Sequence, residues 1–497
     1  MELITHWIDG KPWDGVPERT GPVYNPATGE QPAEVAFASK DDVDRAVASA
    51  EDAFARWRDV SLVRRQKILF AFRELVERQK ADIARLITAE HGKTLDDAVG
   101  EVNRGLEVIE FVCNIPHLMK GEFSEQVSGG VDTYSLRQPL GVVAGITPFN
   151  FPAMVPMWMY PVAIACGNTF VLKPSEKDPS ASVLAAELFA KAGLPDGVLN
   201  VVHGDKVAVD RILEHPSIRA ISFVGSTPIA RYVHETGTAH GKRVQALGGA
   251  KNHMVVLPDA DMDLAADAAV SAAYGSAGER CMAISVVVTV GDAADRLIPR
   301  MKERIAGLKV GPGSEAGVQM GPLVTREHRD RVASYIDRGV EEGADLVVDG
   351  RDLQVDGHEE GFFLGCSLFD RVTPDMAIYQ DEIFGPVLDV VRTDSYQDAI
   401  EMVNVNRWGN GTAVFTNDGG AARKFQNEIQ VGMVGVNVPI PVPLAFYSFG
   451  GWKQSIFADH AIYGQDGVRF YTKPKVVISR WPDPMHRGVD LGFPQTH

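Results

Sequence analysis

The 497-residue sequence is poor in cysteine and in basic residues, and both shortages exclude classes of protein. Its four cysteines lie at spacings that match neither a disulfide framework nor a zinc site: Cys113, Cys166, Cys281 and Cys366. We therefore expect no bound metal and a reducing, cytoplasmic setting. Lys plus Arg total 49 against 66 Asp plus Glu, a net charge of −17. This charge argues against nucleic-acid partners and anionic membrane surfaces, so a ligand's phosphate must be held by a local arrangement.

Long apolar runs and glycine-rich nucleotide motifs are missing as well. The longest apolar segment, residues 151–166, contains three prolines and is too short to span a bilayer. Residues 1–10 have no basic segment followed by an apolar run, so we expect no secretory signal. The nearest candidate for Gly-x-Gly-x-x-Gly, residues 225–230, has one glycine. A standard dinucleotide fold is thus disfavoured, whereas a variant phosphate cradle at the start of a helix stays open.

From residue 141 onwards, strand-like and helical segments alternate. The strand-like segments are residues 141–147, 169–172, 198–202 and 220–224, and the helical ones are 151–165, 180–192, 206–213 and 228–235. This alternation predicts an α/β fold with a parallel sheet, right-handed crossovers and helices on both faces. A second α/β unit follows residues 257–261, and the chain length predicts two to four domains.

The amino-terminal part is predicted to be mainly helical after a strand at residues 5–12. Ser39 followed by Asp42 resembles a capping box and starts the first helix. A second helix is predicted over residues 68–86 and a third over Leu95–Val112. The third helix carries Arg104, for which a salt-bridged surface position is the ordinary explanation.

Polar turns follow four strands of the predicted parallel sheet, at residues 147–150, 173–176, 203–205 and 225–227. Sheets of this kind bind ligands beyond the carboxyl ends of their strands. Ordinary turn chemistry explains any one of these segments, because Pro, Gly, Asn and Ser dominate connections. Four of them at equivalent ends of one sheet favour a nucleotide site.

A single cysteine stands in the segment Tyr274-Gly-Ser-Ala-Gly-Glu-Arg-Cys281, just before the apolar run 284–290. The pattern predicts a loop that enters a buried strand. Cys281 is either a small core residue or a nucleophile, and a nucleophile needs an electropositive, partly open site. The local sequence leaves both interpretations open.

Six blocks, taken in order, resemble the aldehyde dehydrogenase superfamily over nearly the whole chain. They are Thr147-Pro-Phe-Asn-Phe-Pro152, Leu172-Lys-Pro-Ser-Glu176, Phe223-Val-Gly-Ser226, Leu247-Gly-Gly249, Gly278-Glu-Arg-Cys281 and Glu382-Ile-Phe-Gly-Pro386. The resemblance implies that Cys281 is the nucleophile and that the Asn150 amide and the Cys281 N–H stabilise the alkoxide. It also implies an NAD site. Lys173 and Glu176 would bind the adenosine ribose, and Gly225 and Ser226 would lie near the pyrophosphate. Glu382 and Phe384 would surround the nicotinamide and its ribose, and the neighbouring residues of the site would be Thr147, Phe149 and Leu247.

The same resemblance implies the domain organisation. Residues 1–119 and 140–249 would form a variant doubly wound, parallel-sheet NAD-binding domain, and residues 250–449 an α/β catalytic domain. Residues 120–139 and 465–482 would supply the strands of a small β oligomerisation domain. The strand-like run 467–479 then resembles a ribbon that completes a sheet in a neighbouring subunit, and we expect a homotetramer or a dimer.

One departure from the superfamily pattern is informative. In hydrolytic members a glutamate begins the segment Glu-Leu-Gly-Gly-Lys and activates the deacylating water. Aligning Lys251 with that lysine puts Leu247 at the glutamate position. Because leucine cannot take a proton, hydrolysis of a Cys281 thioester should be slow, and an acidic thiol would have to complete the reaction.

A closer resemblance follows from the missing glutamate together with residues 245–253 and 278–283. These features resemble the coenzyme A-acylating methylmalonate-semialdehyde dehydrogenases, which often carry asparagine at the position of Leu247. The resemblance implies that Arg104 and Arg280 hold the substrate carboxylate, a task that suits the guanidinium fork. It implies NAD-dependent oxidation of methylmalonate or malonate semialdehyde, loss of carbon dioxide and transfer to coenzyme A, giving propionyl-CoA or acetyl-CoA. Family members act in valine and inositol catabolism.

Two alternatives stay open. The chain could be a semialdehyde dehydrogenase that hydrolyses its thioester, or a binding protein that kept the fold without activity. Glu176 favours NAD over NADP, because its carboxylate would repel a 2′-phosphate. The preference for the methylated substrate and the entry route of coenzyme A are not readable from the residues.

Overall fold

The computed structural model describes residues 2–481. Its α-helices are α1 (Lys40–Trp57), α2 (Leu62–Arg78), α3 (Lys80–His91), α4 (Leu95–Val112), α5 (Ile115–Leu118), α6 (Met154–Ala165), α7 (Ser180–Lys191), α8 (Lys206–Glu214), α9 (Thr227–Ala239), α10 (Met262–Tyr274), α11 (Ala293–Ala306), α12 (Arg326–Glu341), α13 (Ala377–Gln380), α14 (Tyr396–Val405), α15 (Gly419–Glu428) and α16 (Gly464–Phe470).

The strands are β1 (Glu2–Ile4), β2 (Trp7–Ile8), β3 (Lys11–Pro12), β4 (Arg19–Val23), β5 (Ala33–Phe37), β6 (Phe123–Ser128), β7 (Val131–Pro139), β8 (Val142–Ile146), β9 (Thr169–Lys173), β10 (Leu199–Val201), β11 (Ile218–Val224), β12 (Arg243–Leu247), β13 (Asn252–Val256), β14 (Ile284–Val290), β15 (Asp345–Val348), β16 (Ser367–Asp370), β17 (Val387–Thr393), β18 (Trp408–Gly409), β19 (Gly411–Phe415), β20 (Met433–Val436), β21 (Trp452–Lys453), β22 (Ile456–Phe457) and β23 (Thr472–Arg480).

The first large sheet has eight strands in the order β22-β12-β11-β8-β9-β10-β2-β3. Its five central strands, β12 to β10 in that order, are parallel; β22 and β2 pair antiparallel with the outer two of them, and β3 pairs antiparallel with β2. Chain order reverses between β8 and β11, which makes this a doubly wound sheet with a switch point there. The predicted α/β fold with a parallel sheet is confirmed.

Alternate residues of this sheet enter two different cores, which explains why helices cover both faces. Val143 of β8 and Phe170 of β9 face a core that also contains residues of α2, α4, α6 and α7. Ala144 and Val171 face the opposite core, with residues of α1, α8 and α9. The period-two alternation of apolar side chains on both faces is what a doubly covered parallel sheet requires.

The second large sheet has seven strands in the order β15-β16-β17-β14-β13-β19-β20. All neighbours pair in parallel except β15, which is antiparallel to β16. Its strands and the helices α10, α11 and α12 share one apolar core. The strand β14 follows the Cys281 loop directly, as the apolar run 284–290 predicted.

A small antiparallel sheet joins distant parts of the chain in the order β23-β7-β6. The strands β6 and β7 lie in the segment 120–139 and β23 lies in the segment 465–482, whose last residue is outside the described residues. The domain boundaries themselves stay a prediction. The run 467–479 was expected to be a strand throughout, but this is wrong for Gly467 to Phe470, which end helix α16.

The amino-terminal helices differ from expectation at one point. The capping box is confirmed, since the Ser39 hydroxyl accepts the Asp42 N–H and the Asp42 carboxylate accepts the Ser39 N–H. The single helix predicted over residues 68–86 is wrong, because Gln79 (φ −99°, ψ 9°) leaves the helical region and separates α2 from α3. Residues 5–12 likewise form two short strands, β2 and β3, rather than one. Within residues 2–481, every helix is too short or too polar to cross a bilayer.

Candidate active site

Cys281 follows a left-handed turn at the end of helix α10. Ser276 (φ 54°), Ala277 (φ 51°) and Gly278 (φ 76°) have positive φ, a conformation that is costly for residues other than glycine and that clusters at functional sites. A Cβ on Gly278 would lie 2.2 Å from the Gly385 carbonyl oxygen, so only glycine permits this approach. The turn therefore brings the Cys281 loop against the segment that follows Glu382.

Two asparagine side chains fix the backbone of the cysteine. The Asn252 amide donates to the carbonyl oxygens of Cys281 (3.0 Å) and Ala283 (2.9 Å), and the Asn410 amide donates to Cys281 O at 3.1 Å. Asn252 begins β13 and Asn410 precedes β19. The nucleophile candidate is thus tied to two neighbouring strands of the seven-stranded sheet.

The thiol of Cys281 is half-buried, whereas the other three cysteines are buried. Burial raises the pKa of the Cys281 thiol to about 12, and the charge of Glu382 adds to this rise. Arg280 and backbone N–H groups act in the opposite direction. The ligand-free thiol therefore carries its proton at neutral pH, and the groups that favour the thiolate are its own neighbours in the chain.

A cleft of about 610 Å³ opens above Cys281 and lies between the two large sheets. Seven of the sequence-predicted residues line it: Phe149, Asn150, Gly225, Ser226, Cys281, Glu382 and Phe384. Its volume is in the range of sites for small ligands and cofactors. It lies beyond the carboxyl ends of β8 and β11, at the switch point where doubly wound sheets bind ligands.

Glu382 is held in the wall of this cleft by the segment 249–251. Its Oε1 accepts the Ala250 N–H at 2.9 Å, and a Cβ on Gly249 would lie 2.1 Å from its Oε2. Burial raises the pKa of the Glu382 carboxyl to about 7, against the Ala250 hydrogen bond and the charges of Lys251 and Arg331. Buried Lys251 also donates to the carbonyl oxygens of Ile378 and Asp381, which fixes the loop that carries Glu382.

Two aromatic rings form the adjoining wall. Phe149 and Phe384 meet edge to face with ring centroids 5.9 Å apart, and the His328 ring lies 6.2 Å from Phe149. Phe384 has φ 61°, and its carbonyl oxygen is 2.7 Å from His328 Nε2. A bulky residue at positive φ is a strained position that its surroundings must impose, here through the contact with His328.

The remaining cofactor candidates lie outside the lining of this cleft. Lys173 Nζ pairs with Glu176 Oε2 at 2.8 Å. Burial opposes ionisation of Glu176, but the charge and hydrogen bond of Lys173 outweigh it and lower the pKa of the carboxyl. The Thr147 N–H donates to Lys173 O at 3.1 Å, so the three residues form one connected group at the ends of β8 and β9.

Leu247 ends strand β12, and its carbonyl oxygen accepts the Gly225 N–H at 3.1 Å. Its side chain is 2% exposed and belongs to the apolar core that includes Val224 and Met282. The contribution of Leu247 to this region is therefore a backbone carbonyl and an apolar side chain. A side chain of this kind offers no proton acceptor at the position.

Asn150 is positioned by a buried ion pair that the sequence gave no reason to select. Lys93 Nζ donates to the backbone carbonyl oxygen of Asn150 (2.6 Å) and to Glu101 Oε2 (2.8 Å). The other oxygen of Glu101 accepts the N–H groups of Ala153 (2.8 Å) and Met154 (3.0 Å) at the start of α6. Burial raises the pKa of Glu101 although Lys93 opposes this. No motif marks Lys93 or Glu101, because the pairing depends on a contact with a turn far away in the chain.

Both arginines of the predicted carboxylate site form ion pairs with acidic residues of helix α4, and Arg104 is itself part of that helix. Arg104 Nη1 pairs with Glu107 at 2.7 Å, and Arg280 Nη2 pairs with Asp97 at 2.6 Å. The side chains of the two arginines are 29% and 22% exposed. Arg104 is thus salt-bridged and partly buried in the ligand-free chain, and its role in substrate binding stays a prediction.

A second buried titratable group stands two residues before Cys281. Glu279 is fully buried, with His91 Nε2 3.8 Å and His328 Nε2 3.6 Å from its two carboxyl oxygens. Its Oε1 accepts the Val324 N–H at 3.3 Å, and within the described chain its Oε2 has no hydrogen-bond partner. Burial raises the pKa of the Glu279 carboxyl to about 8. Glu279 was inside the Gly278-Glu-Arg-Cys281 block but received no role.

The ion pair of Lys93 gives the first prediction. Lys93→Met leaves the Glu101 carboxyl buried without its cation, so we expect the free energy of unfolding to fall by about 3–5 kcal/mol in urea titrations. Lys80→Met is the matched control, because Lys80 forms a partly exposed pair with Glu77 at 2.8 Å. That pair should contribute less than about 1 kcal/mol. Equal losses in the two variants would contradict the structural role of the Lys93 pair.

Glu279 gives a prediction on pH. Between its ordinary pKa of 4.5 and about 8, the folded chain keeps the Glu279 proton that the unfolded chain has lost. Stability contributed by this group therefore falls as pH rises, by up to about 1.4 kcal/mol for each pH unit. In urea unfolding from pH 5 to 8, Glu279→Gln should lose stability less steeply than the unsubstituted chain. Glu303→Gln, at an 82% exposed side chain, is the control, and a Glu279→Gln curve parallel to it and to the parent would refute the assignment.

Comparisons with known proteins identify the family of the chain. The profile of the aldehyde dehydrogenase family matches residues 13–477. A malonate-semialdehyde dehydrogenase of Pseudomonas aeruginosa is 58% identical over 96% of both chains. Malonate-semialdehyde dehydrogenase 1 of Geobacillus thermodenitrificans is 50% identical over 97% of this chain and 99% of its own.

Two solved structures have the same fold. A putative methylmalonate-semialdehyde dehydrogenase from Sinorhizobium meliloti, complexed with NAD, superposes with a TM-score of 0.96 at 54% identity, covering 98% of this chain and 99% of its own. A methylmalonate-semialdehyde dehydrogenase from Oceanimonas doudoroffii gives a TM-score of 0.96 at 53% identity over the same shares. The resemblance expected from the six sequence blocks is confirmed, and the chain belongs to the aldehyde dehydrogenase family.

Proposed function

We propose that the protein oxidises malonate semialdehyde or methylmalonate semialdehyde with NAD and passes the acyl group to coenzyme A. The observation that carries the proposal is Leu247, an apolar residue where hydrolytic members place their base, in a chain that keeps Cys281 and Asn150. The names of the relatives support the substrate class. The proposal includes a cytoplasmic enzyme that assembles as a homotetramer or a dimer.

The residues around the cleft fit NAD. Gly225 and Ser226 precede helix α9, whose free N–H groups suit a pyrophosphate. In the lining of the cleft, Glu382 offers a carboxylate beside Phe384. Outside that lining, the buried Thr147 Oγ1 has no hydrogen-bond partner among the described residues. The bound cofactor supplies the acceptor for the aldehyde hydride. Glu176 next to Lys173 favours an unphosphorylated adenosine ribose.

The covalent chemistry belongs to Cys281 and Asn150. The Cys281 thiol first loses its proton to solvent. Its thiolate sulfur then adds to the aldehyde carbon while the carbonyl π pair moves onto the oxygen, and the Asn150 amide and the Cys281 N–H stabilise that negative oxygen. Lys93 keeps Asn150 in place by holding its carbonyl oxygen at 2.6 Å. After loss of the hydride the acyl group remains on Cys281 as a thioester.

Release of the acyl group depends on what the site lacks. Leu247 cannot activate water, so the thioester persists until it is attacked by a thiol that is acidic enough to form a thiolate. Before or during this wait, a β-carboxyacyl thioester can lose carbon dioxide, because its carbonyl oxygen accepts the electron pair of the broken bond. A proton then replaces the lost carboxyl group, and coenzyme A leaves with an acetyl or propionyl group.

The carboxylate of the substrate would exchange with acids that the arginines now hold. Arg104 pairs with Glu107 and Arg280 pairs with Asp97, both on helix α4. Replacing one carboxylate by another keeps each guanidinium paired with an acid. An uncharged aldehyde cannot make this exchange, which gives a physical reason for selecting semialdehydes.

The role of Leu247 is tested by supplying or withholding coenzyme A. With malonate semialdehyde and NAD, we expect a single burst of NADH without coenzyme A, equal to the number of Cys281 sites. Continuous turnover to acetyl-CoA should follow when the thiol is added, and Cys281→Ser should lose both phases. Sustained release of a free acid without the thiol would favour the hydrolytic alternative, and absence of any burst would favour an inactive binding protein.

The role of Arg104 is tested by its selectivity. Arg104→Leu should raise the KM for malonate semialdehyde about ten- to a hundredfold, because hydrogen bonds to charged groups contribute about 1.5–3 kcal/mol. The KM for propanal should stay within about twofold. Arg85→Leu is the matched control, because Arg85 also pairs with an acid three residues away on a helix, Asp82. An equal rise for both aldehydes would refute the carboxylate role.

A further inference from the structure

Tyr463 is buried and lies at a strained position before helix α16. Its φ is 46° and its ψ −167°, an unusual conformation for a bulky residue. Its carbonyl oxygen accepts the Ser448 hydroxyl (3.0 Å) and the Gly467 N–H (2.8 Å), and these contacts hold the backbone in place. Strain that the surroundings maintain in this way is a reason to ask what the side chain does.

The ring of Tyr463 has a fixed direction. It packs edge to face on Trp158 of α6 at 5.1 Å and against Phe449 at 6.4 Å. The residue is 2% exposed, and its hydroxyl donates to the Pro443 carbonyl oxygen at 3.1 Å. The side chain therefore reaches across to the segment 442–443 and ends in one directed hydrogen bond.

The same carbonyl oxygen also holds an arginine of the proposed carboxylate site. Arg104 Nη2 donates to Pro443 O at 2.8 Å and lies 3.4 Å from Val442 O, while its Nη1 is on Glu107. A carbonyl oxygen has two lone pairs, so it can serve Tyr463 and Arg104 together. One atom thus couples the phenol to the guanidinium.

The phenol is also within electrostatic reach of the nucleophile. Burial raises the pKa of the Tyr463 hydroxyl, the positive charge of Arg104 lowers it, and Cys281 raises it. Ile440, Val442 and Cys281 border the same apolar core to which Tyr463 belongs. The charges of Arg104 and Cys281 therefore both act on the Tyr463 hydroxyl.

We propose that Tyr463 is a positioning residue for substrate selection, which fixes the Pro443 carbonyl and through it the direction of the Arg104 guanidinium. With this bond in place, Arg104 keeps Nη2 on the Pro443 carbonyl and Nη1 on Glu107, so the guanidinium has one fixed orientation in which to receive the substrate carboxylate. Without this bond, segment 442–443 and the Arg104 guanidinium would adopt a wider range of orientations. A smaller fraction of these orientations would bind the substrate carboxylate. The inference rests on the proposed function, since it requires Arg104 to bind the carboxylate.

The test is Tyr463→Phe, which removes only the hydroxyl and keeps the ring. The loss of one neutral hydrogen bond should raise the KM for malonate semialdehyde roughly three- to tenfold. The kcat, and the KM for propanal, should stay within about twofold. Tyr160→Phe is the matched control, because Tyr160 is a buried tyrosine of α6 whose hydroxyl lacks a partner in the described part of the chain. It should leave both aldehydes unchanged.

A double variant shows whether the effect passes through Arg104. In the Arg104→Leu background, adding Tyr463→Phe should change kcat/KM for malonate semialdehyde by less than about twofold. A further full loss in that background would overturn the inference, because Tyr463 would then act independently of Arg104. A fall in kcat with both aldehydes equally affected would also overturn it, since that is the result of a general structural defect.

Failure of the inference is distinguishable from failure of the proposed function. If Arg104→Leu is selective for the carboxylated substrate and Tyr463→Phe is not, the carboxylate site stands and only the role of Tyr463 falls. If Arg104→Leu affects both aldehydes equally, the proposed site falls and takes the role of Tyr463 with it. Thermal unfolding of each variant shows whether the fold is kept.

Discussion

The buried pair between Lys93 and Glu101 is the interaction on which the site depends. The ammonium holds the Asn150 carbonyl, and the carboxylate holds the first N–H groups of helix α6. Glu101 lies on α4, the helix that also carries Arg104 and the partner of Arg280. The proposed oxyanion donor and the two arginines of the proposed carboxylate site are therefore connected to one helix, α4. An ion pair buried this deeply is costly to form, and its cost is offset only because every oxygen of Glu101 has a donor.

Two sheets supply halves of a site that neither contains alone. The doubly wound sheet contributes Asn150 and the turn before α9, at the carboxyl ends of its strands. The seven-stranded sheet contributes Cys281, which two asparagines anchor to β13 and β19. Glu382 crosses between them, since it is carried by the second sheet and bonded to Ala250 between the sheets. The positions of the site residues are thus fixed by hydrogen bonds to the backbone, and the side chains that line the cleft supply the reactive groups.

The sequence predicted more of the fold than of the candidate site. Period-two strands, capped helices and six ordered blocks predicted the α/β architecture, and they selected seven residues that line the cleft. The break at Gln79 was not predictable, because the apolar spacing continues through it and only packing separates the two helices. Lys93, Glu101 and Glu279 were missed for a related reason: their importance comes from burial and from partners distant in sequence, and neither leaves a local pattern. Arg104 was selected only by resemblance, and its hydrogen bond to Pro443 joins residues 339 positions apart.

That separation has a consequence for how the protein is made. After adding Arg104, the ribosome adds 339 residues up to and including Pro443. At about 5–20 residues per second, this takes roughly 20 to 70 s. During that time Arg104 has Glu107 nearby but not the Pro443 carbonyl, and the doubly wound sheet still lacks its edge strand β22. The hydrogen bond between Arg104 and Pro443 is therefore among the last contacts of the nascent chain to form, although the helix that carries Arg104 is among the first to emerge.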